Sequence, residues 1–97
     1  MDILYKFNDE EFVWNEKKAR DNRRKHGISF EEACEVFFDP FRQGGDASDN
    51  FEEREFIIGF SIKRKLLVVV YAERGERTRI ISARKATNEE RKVYEEA

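Results

Sequence analysis

Leu66-Leu67-Val68-Val69-Val70-Tyr71, then Arg74-Gly75, then Thr78-Arg79-Ile80-Ile81-Ser82-Ala83-Arg84: on this stretch the fold turns. The first block is an unbroken apolar run within Lys65–Glu73, the pattern of a central strand covered on both faces. Arg74-Gly75 is a turn signal, and the last block pairs back as the next strand. Upstream, Glu55–Ile62 is also rich in strand formers, and its Gly59 suggests a bulge or a close backbone approach. Phe41–Gln43 begins a candidate edge strand, followed by Gly44-Gly45 and the polar loop Asp46–Glu53.

The N-terminal half has a helical signature instead. Asn15 is a good N-cap for Glu16–His26, a very polar segment in which Ala19, Asn22 and His26 share one face. Gly27 is the natural residue to end it. Ser29-Phe30-Glu31-Glu32 reads as a capping box, and Phe30, Ala33, Cys34 and Phe37 recur at helical spacing until Asp39-Pro40. Thr87-Asn88-Glu89-Glu90 is a second capping box that opens a terminal helix. Ile3–Phe7 is expected as a strand or a loosely attached arm. The expected architecture is an α+β domain spanning 1–97: two N-terminal helices, an antiparallel sheet of about four strands and a C-terminal helix.

Composition narrows the function classes. The chain has 97 residues, 41% of them charged, and a net charge of −2. The charge is unevenly spread: residues 1–55 hold 15 acids and 9 bases, and residues 56–97 hold 6 acids and 10 bases. Lys17–His26 is a basic island inside the acidic half, and such patches, more than net charge, set the attraction for nucleic acid. One cysteine, Cys34, excludes an internal disulfide and a multi-cysteine zinc site. There is no signal-peptide pattern and no long apolar span, so a soluble, cytoplasmic protein with no membrane role is expected. The acidic loop Asp46–Glu55 matches no metal-ligand spacing and reads as solvated.

Several blocks together resemble one family. They are Phe12-Val13-Trp14-Asn15 with Lys18 and Asn22, Lys25-His26-Gly27-Ile28-Ser29-Phe30-Glu31-Glu32-Ala33, Val36-Phe37 with Asp39-Pro40, Glu53-Arg54, Leu66–Tyr71 with Glu73-Arg74-Gly75, and Arg79–Thr87. Over about residues 12–95 the chain resembles the BrnT toxins of type II toxin–antitoxin systems. The resemblance implies a prokaryotic ribonuclease of RelE-like fold that inhibits translation by cutting RNA. It also implies a BrnA-like antitoxin with a ribbon-helix-helix domain, through which alone the complex meets its DNA operator. Asn15 stands where the family usually has aspartate, and residues 1–11 precede the usual start.

Metal-independent RNA cleavage needs a base for the ribose 2′-hydroxyl, charge stabilisation at phosphorus and an acid for the leaving oxygen. With no metal or other cofactor, the candidate catalytic residues are Lys25, His26, Glu73, Arg74 and Arg84. Candidate RNA contacts are Lys18, Asn22, Arg54, Tyr71, Arg77, Arg79 and Ser82. Several have a plainer reading as well. His26 in a last helical turn suits the helix dipole, and Arg79 or Arg84 could pair with Glu73, Glu89 or Glu90. Arg74 needs no function in a turn, Arg54 could be solvated, and Trp14 could anchor the core rather than stack on a base. Strict alternation puts Arg77, Arg79 and Ala83 on one strand face and Ile80, Ser82 and Arg84 on the other. Arg79 and Arg84 therefore share a site only if that strand twists or bulges. The alternative function is a non-catalytic module whose basic surface binds nucleic acid or protein, or a structural interaction protein whose charged helix is simply solvated.

Overall fold

A computed structural model describes residues 1–97. Its core is a six-stranded mixed sheet in the order β1-β2-β6-β5-β4-β3. The strands are β1 (Asp2–Phe7), β2 (Glu10–Asn15), β3 (Gln43–Asp46), β4 (Glu55–Phe60), β5 (Leu66–Arg74) and β6 (Arg77–Lys85). The helices are α1 (Glu16–His26), α2 (Phe30–Glu35), extended by a 3-10 turn at Val36–Phe38, and α3 (Asn88–Glu95). No helix is long and apolar enough to cross a membrane.

The hairpin of β5 and β6 forms as its sequence predicts, and Leu66–Val69 are buried between layers on both sides. The rest of the sheet corrects the expectation of about four antiparallel strands. Residues 1–11 are not a loose arm, because Asn8 and Asp9 both take positive φ (49° and 65°) and fold β1 back on β2. Two such residues are what a tight hairpin turn requires, and Asn and Asp tolerate that conformation best. Phe12-Val13-Trp14 belongs to β2, which lies parallel to β6 through Glu11–Val13 and Arg77–Arg79. Gly44-Gly45 continues β3 instead of turning.

Two layers cover the sheet. On one face Phe12, Trp14, Ile57, Leu67, Val69, Ile80 and Ala83 pack against Ile28, Phe30, Ala33, Cys34 and Val36. Trp14 is buried there, edge-on to Phe30, so it anchors the core. Cys34 sits in the same cluster, and burial pushes its thiol pKa up, which keeps it inert at neutral pH. Gly59 permits the close approach of the 3-10 turn, since a Cβ there would lie 2.9 Å from Val36. On the other face α3 covers only Ile58, Leu66 and Val68, with Phe60 edge-on to Tyr94.

Asp39 ties α3 down: its carboxylate accepts from the Tyr94 hydroxyl at 2.7 Å and the Phe60 N–H at 2.8 Å. Burial would raise the Asp39 pKa, but these bonds and one from the Phe41 N–H outweigh it and hold the pKa low. The two capping boxes differ. Thr87 and Glu90 cap each other's backbone in full. Ser29 caps Glu32, but the Glu32 carboxylate turns away to the Ser61 hydroxyl at 2.9 Å and to Lys65 at 3.7 Å, so that box is half made.

Candidate functional site

The hairpin strand β6 organises the site, and one irregularity in it decides which side chains meet. Val70 faces Ser82 and Tyr71 faces Ile80, so Ile81 is an extra residue, a β-bulge. The bulge resets the alternation. Ile80 and Ala83 both point into the helix layer, while Arg79 (opposite Ala72), Ser82 (opposite Val70) and Arg84 (opposite Val68) share the other face. Arg79 and Arg84 therefore stand on one side of the sheet.

Beyond Val13, β2 turns into α1 and leaves the outer edge of β6 without a strand. Asn22 fills that gap. Its Oδ1 accepts from the Ala83 N–H at 3.2 Å, and its Nδ2 donates to the Ala83 carbonyl at 2.9 Å and to the Ile28 carbonyl at 3.1 Å. At 8% exposure its amide is committed to the fold, a task the sequence did not reveal. Gly27, in the left-handed region at φ 74°, closes α1 by donating to the Arg23 carbonyl and leads the chain to Ile28.

The sequence-predicted residues fall into three groups. Lys18, Lys25 and His26 line a shallow cleft of about 240 Å³ where α1 meets Ile81 and Ser82. None of these three has a carboxylate within ion-pair distance. Arg77, Arg79 and Arg84 lie outside that cleft, on the sheet face away from the α2 layer, and each is paired: Arg77 with Glu11 at 2.9 Å, Arg79 with Asp2 at 2.6 Å, Arg84 with Glu90 at 2.7 and 2.8 Å. The Arg84 fork and the Thr87 backbone hold Glu90 down to about 2. The salt-bridge reading of Arg84 is thus the geometry seen, and Arg84 does not line the cleft beside His26.

The third group lies at the hairpin end of the sheet. Arg54, Glu73 and Arg74 line a cavity of about 370 Å³ with Ser48 and Glu55. Glu52 bridges the two arginines, at 2.6 Å to Arg54 and 3.4 Å to Arg74. On the other side, Glu73 also lines a groove of about 580 Å³ with Tyr71, Arg42, Thr78 and Glu10 over an aromatic floor. Desolvation and Glu55, with a smaller push from Glu10, outweigh a hydrogen bond from Thr78 and raise the Glu73 pKa above the ordinary carboxylate value. Desolvation raises the Tyr71 phenol as well, with Glu55 and Glu73 adding to it. Along β6 the groove and the α1 cleft are roughly 13 Å apart, four strand residues from Thr78 to Ser82.

Arg42, Glu52, Glu10 and Thr78 were not singled out from sequence. Glu52 belongs to the loop read as merely solvated, and that loop is in fact ordered by its own acids. Asp49 accepts from the N–H groups of Phe51 and Glu52, and Asp46 from that of Ser48. No local signal marks the other three, since the sheet register brings Glu10 and Thr78 to the groove and the path of the chain after Pro40 brings Arg42.

The profile of a family described as "Ribonuclease toxin, BrnT, of type II toxin-antitoxin system" matches residues 14–90. The chain belongs to the BrnT family. Its fold is similar to that in a 1.1 Å crystal structure of the Brucella abortus ribonuclease toxin BrnT. That match has a TM-score of 0.58 and 22% identity, and it covers 77% of this chain and 94% of that one. No curated protein matches the chain. Within the BrnT match lie α1, the bulged β6 and both hairpin-end arginines, whereas β1 and most of β2 lie ahead of it. Membership of a family of ribonuclease toxins makes RNA the target and an antitoxin the partner to be explained.

Proposed function

We propose that this BrnT protein is a metal-independent endoribonuclease that cuts at the hairpin end of its sheet and thereby inhibits translation. The observation that carries the reading is the position of Glu73, which lines both cavities there, between Arg54 and Arg74 on one side and Tyr71 and Arg42 on the other. Glu73, its basicity raised by desolvation and by Glu55 and Glu10, takes the proton of a ribose 2′-hydroxyl. The freed oxygen attacks phosphorus, Arg54 and Arg74 stabilise the added charge once Glu52 yields, and the bond to the 5′ oxygen breaks. That leaving oxygen takes the Tyr71 proton, which the raised phenol pKa keeps in place at neutral pH. The products are a 2′,3′-cyclic phosphate and a 5′-hydroxyl.

Lys18, Lys25 and His26 hold the strand further along, as phosphate contacts rather than reacting groups. Arg77, Arg79 and Arg84 brace the sheet through their acids. The cognate antitoxin is of BrnA-like, ribbon-helix-helix type and covers the basic cleft of α1, so that the operator is met through the complex alone, within the cytoplasm. A second reading, a binding module without catalysis, is favoured by one observation: both hairpin-end arginines are occupied by Glu52.

Incubating the antitoxin-free protein with RNA in the presence of a chelator separates the two. Cleavage that Glu73→Gln abolishes, with the fold retained by circular dichroism, supports the catalytic reading. RNA binding without cleavage supports the module. Cleavage retained in Glu73→Gln but lost in His26→Ala would move the chemistry to the α1 cleft.

A further inference from the structure

The groove of about 580 Å³ on the far side of Glu73 is more than the cutting reading requires. Its floor and walls are aromatic: Phe37 packs edge-on to both Phe12 and Tyr71, with centroids 5.2 and 4.9 Å apart, and Phe38 is 37% exposed. The Tyr71 hydroxyl donates to no protein group, and Glu10 has no cationic partner. Arg42 makes no ion pair, and its guanidinium reaches only the Asp39 carbonyl at 3.1 Å.

Two carboxylates at the rim, Glu10 and Glu73, repel a phosphate. They suit a neutral ring that presents N–H donors. An unstacked RNA base on an aromatic floor has that chemistry, and the volume is within the range of small-molecule pockets. Among the four bases, guanine presents two adjacent donors, N1–H and N2–H, which match the two oxygens of one carboxylate. Its O6 and N7 are acceptors, for which the Arg42 guanidinium, free of any carboxylate, is the available donor.

We propose that this groove is a nucleobase subsite that takes guanine from the RNA strand, beside the phosphate held by Arg54 and Arg74. The proposal rests on the ribonuclease reading for its strand and on the groove for its base. It makes Glu10 and Arg42 specificity residues.

The test separates binding from cutting. Short 2′-O-methyl oligonucleotides, which cannot be cut, carry a single guanine, inosine, adenine, cytosine or uracil in a constant background, and their affinities for the full chain are measured by fluorescence anisotropy. Guanine is expected to bind about 10- to 100-fold more tightly than adenine, with inosine, which lacks the 2-amino group, between them. Glu10→Gln is expected to erase most of that preference. Glu10 makes no side-chain hydrogen bond in the fold, and an unchanged melting temperature confirms that the variant is folded. Equal affinity for all five bases overturns the subsite, as does a guanine preference unchanged in both Glu10→Gln and Arg42→Ala. Cutting of ordinary RNA without base preference overturns the subsite but leaves the nuclease standing. Guanine-selective binding by a protein that cuts nothing supports the subsite and removes the nuclease.

Discussion

The α1 cleft and the β5–β6 hairpin are both basic in sequence, yet their cations are in opposite states. Lys18 and Lys25 stand without carboxylate partners, whereas Arg74, Arg77, Arg79 and Arg84 of the hairpin, and Arg54 beside it, all have one. A free cation attracts phosphate over the full screening length, about 10 Å at 0.1 M salt. A paired arginine presents little net charge at that distance and acts only when its carboxylate is displaced. Charge counted along the chain therefore points to the wrong half for affinity. The helix supplies the pull on RNA, and the hairpin supplies groups already fixed in orientation.

The largest expected effect tests where the chemistry sits. Glu73→Gln should lower the cleavage rate by about 10²- to 10⁴-fold, the usual worth of a positioned general base, while RNA affinity from anisotropy stays near that of the wild type. A comparable loss of affinity would mean that Glu73 binds and does not react. Next comes Asn22, which lies on α1 between the unpaired Lys18 and Lys25 but serves the fold. Asn22→Ala leaves the Ala83 N–H and carbonyl without partners beside a cavity, at a cost of about 2–4 kcal/mol in urea-denaturation stability. RNA affinity of the fraction that remains folded should not change. A stable Asn22→Ala with weakened RNA binding would return Asn22 to the interface.

These two residues also mark what was legible in the sequence. Signals confined to a few neighbours held: Asn15 and Gly27 bound α1, Thr87 and Glu90 cap α3, and Leu66–Val69 form a strand covered on both sides. Tasks that depend on distant partners did not. Asn22 meets Ala83 sixty-one residues away, and nothing near Asn22 announces that β6 will lack a neighbour there. The parallel contact of β2 with β6 is equally non-local, and so is the role of Glu52. Alternation made the right conditional statement about Arg79 and Arg84, that a bulge must intervene, but Ile81 has no residue type that signals one. Glu73, Arg74 and Tyr71 were legible as candidates because their block resembles the BrnT pattern, whereas the turn by itself asks nothing of Arg74. Their grouping with Arg54 and Arg42 depends on the β4–β5 register and on the path after Pro40.

The electrostatic contrast itself is open to a smaller and more direct challenge. If α1 supplies the long-range attraction, Lys18→Ala with Lys25→Ala should reduce the slope of log affinity against log salt by about 1.4, near 0.7 for each charge removed on a single strand. Arg77→Ala should barely move it, because Glu11 already neutralises that charge. Equal changes in slope for the two variants would erase the distinction between the surfaces.

The smallest effect concerns the pairing. Glu90 is held down to about 2 by Arg84 in the folded chain, against about 4.3 when unfolded. A depressed folded pKa means that the unfolded state takes up the proton first. The Glu90 contribution is therefore complete above about pH 4.5 and is lost as pH falls toward 2. The pair is partly exposed, so its worth is on the order of 1 kcal/mol. Arg84→Ala should lower stability by about that amount at pH 7 and by almost nothing at pH 2, as read from thermal melts at the two pH values. A loss that is the same at both would show that Arg84 supports α3 through its aliphatic stem and not through charge. Paired arginines at the hairpin would then have to be judged by their packing as much as by their partners.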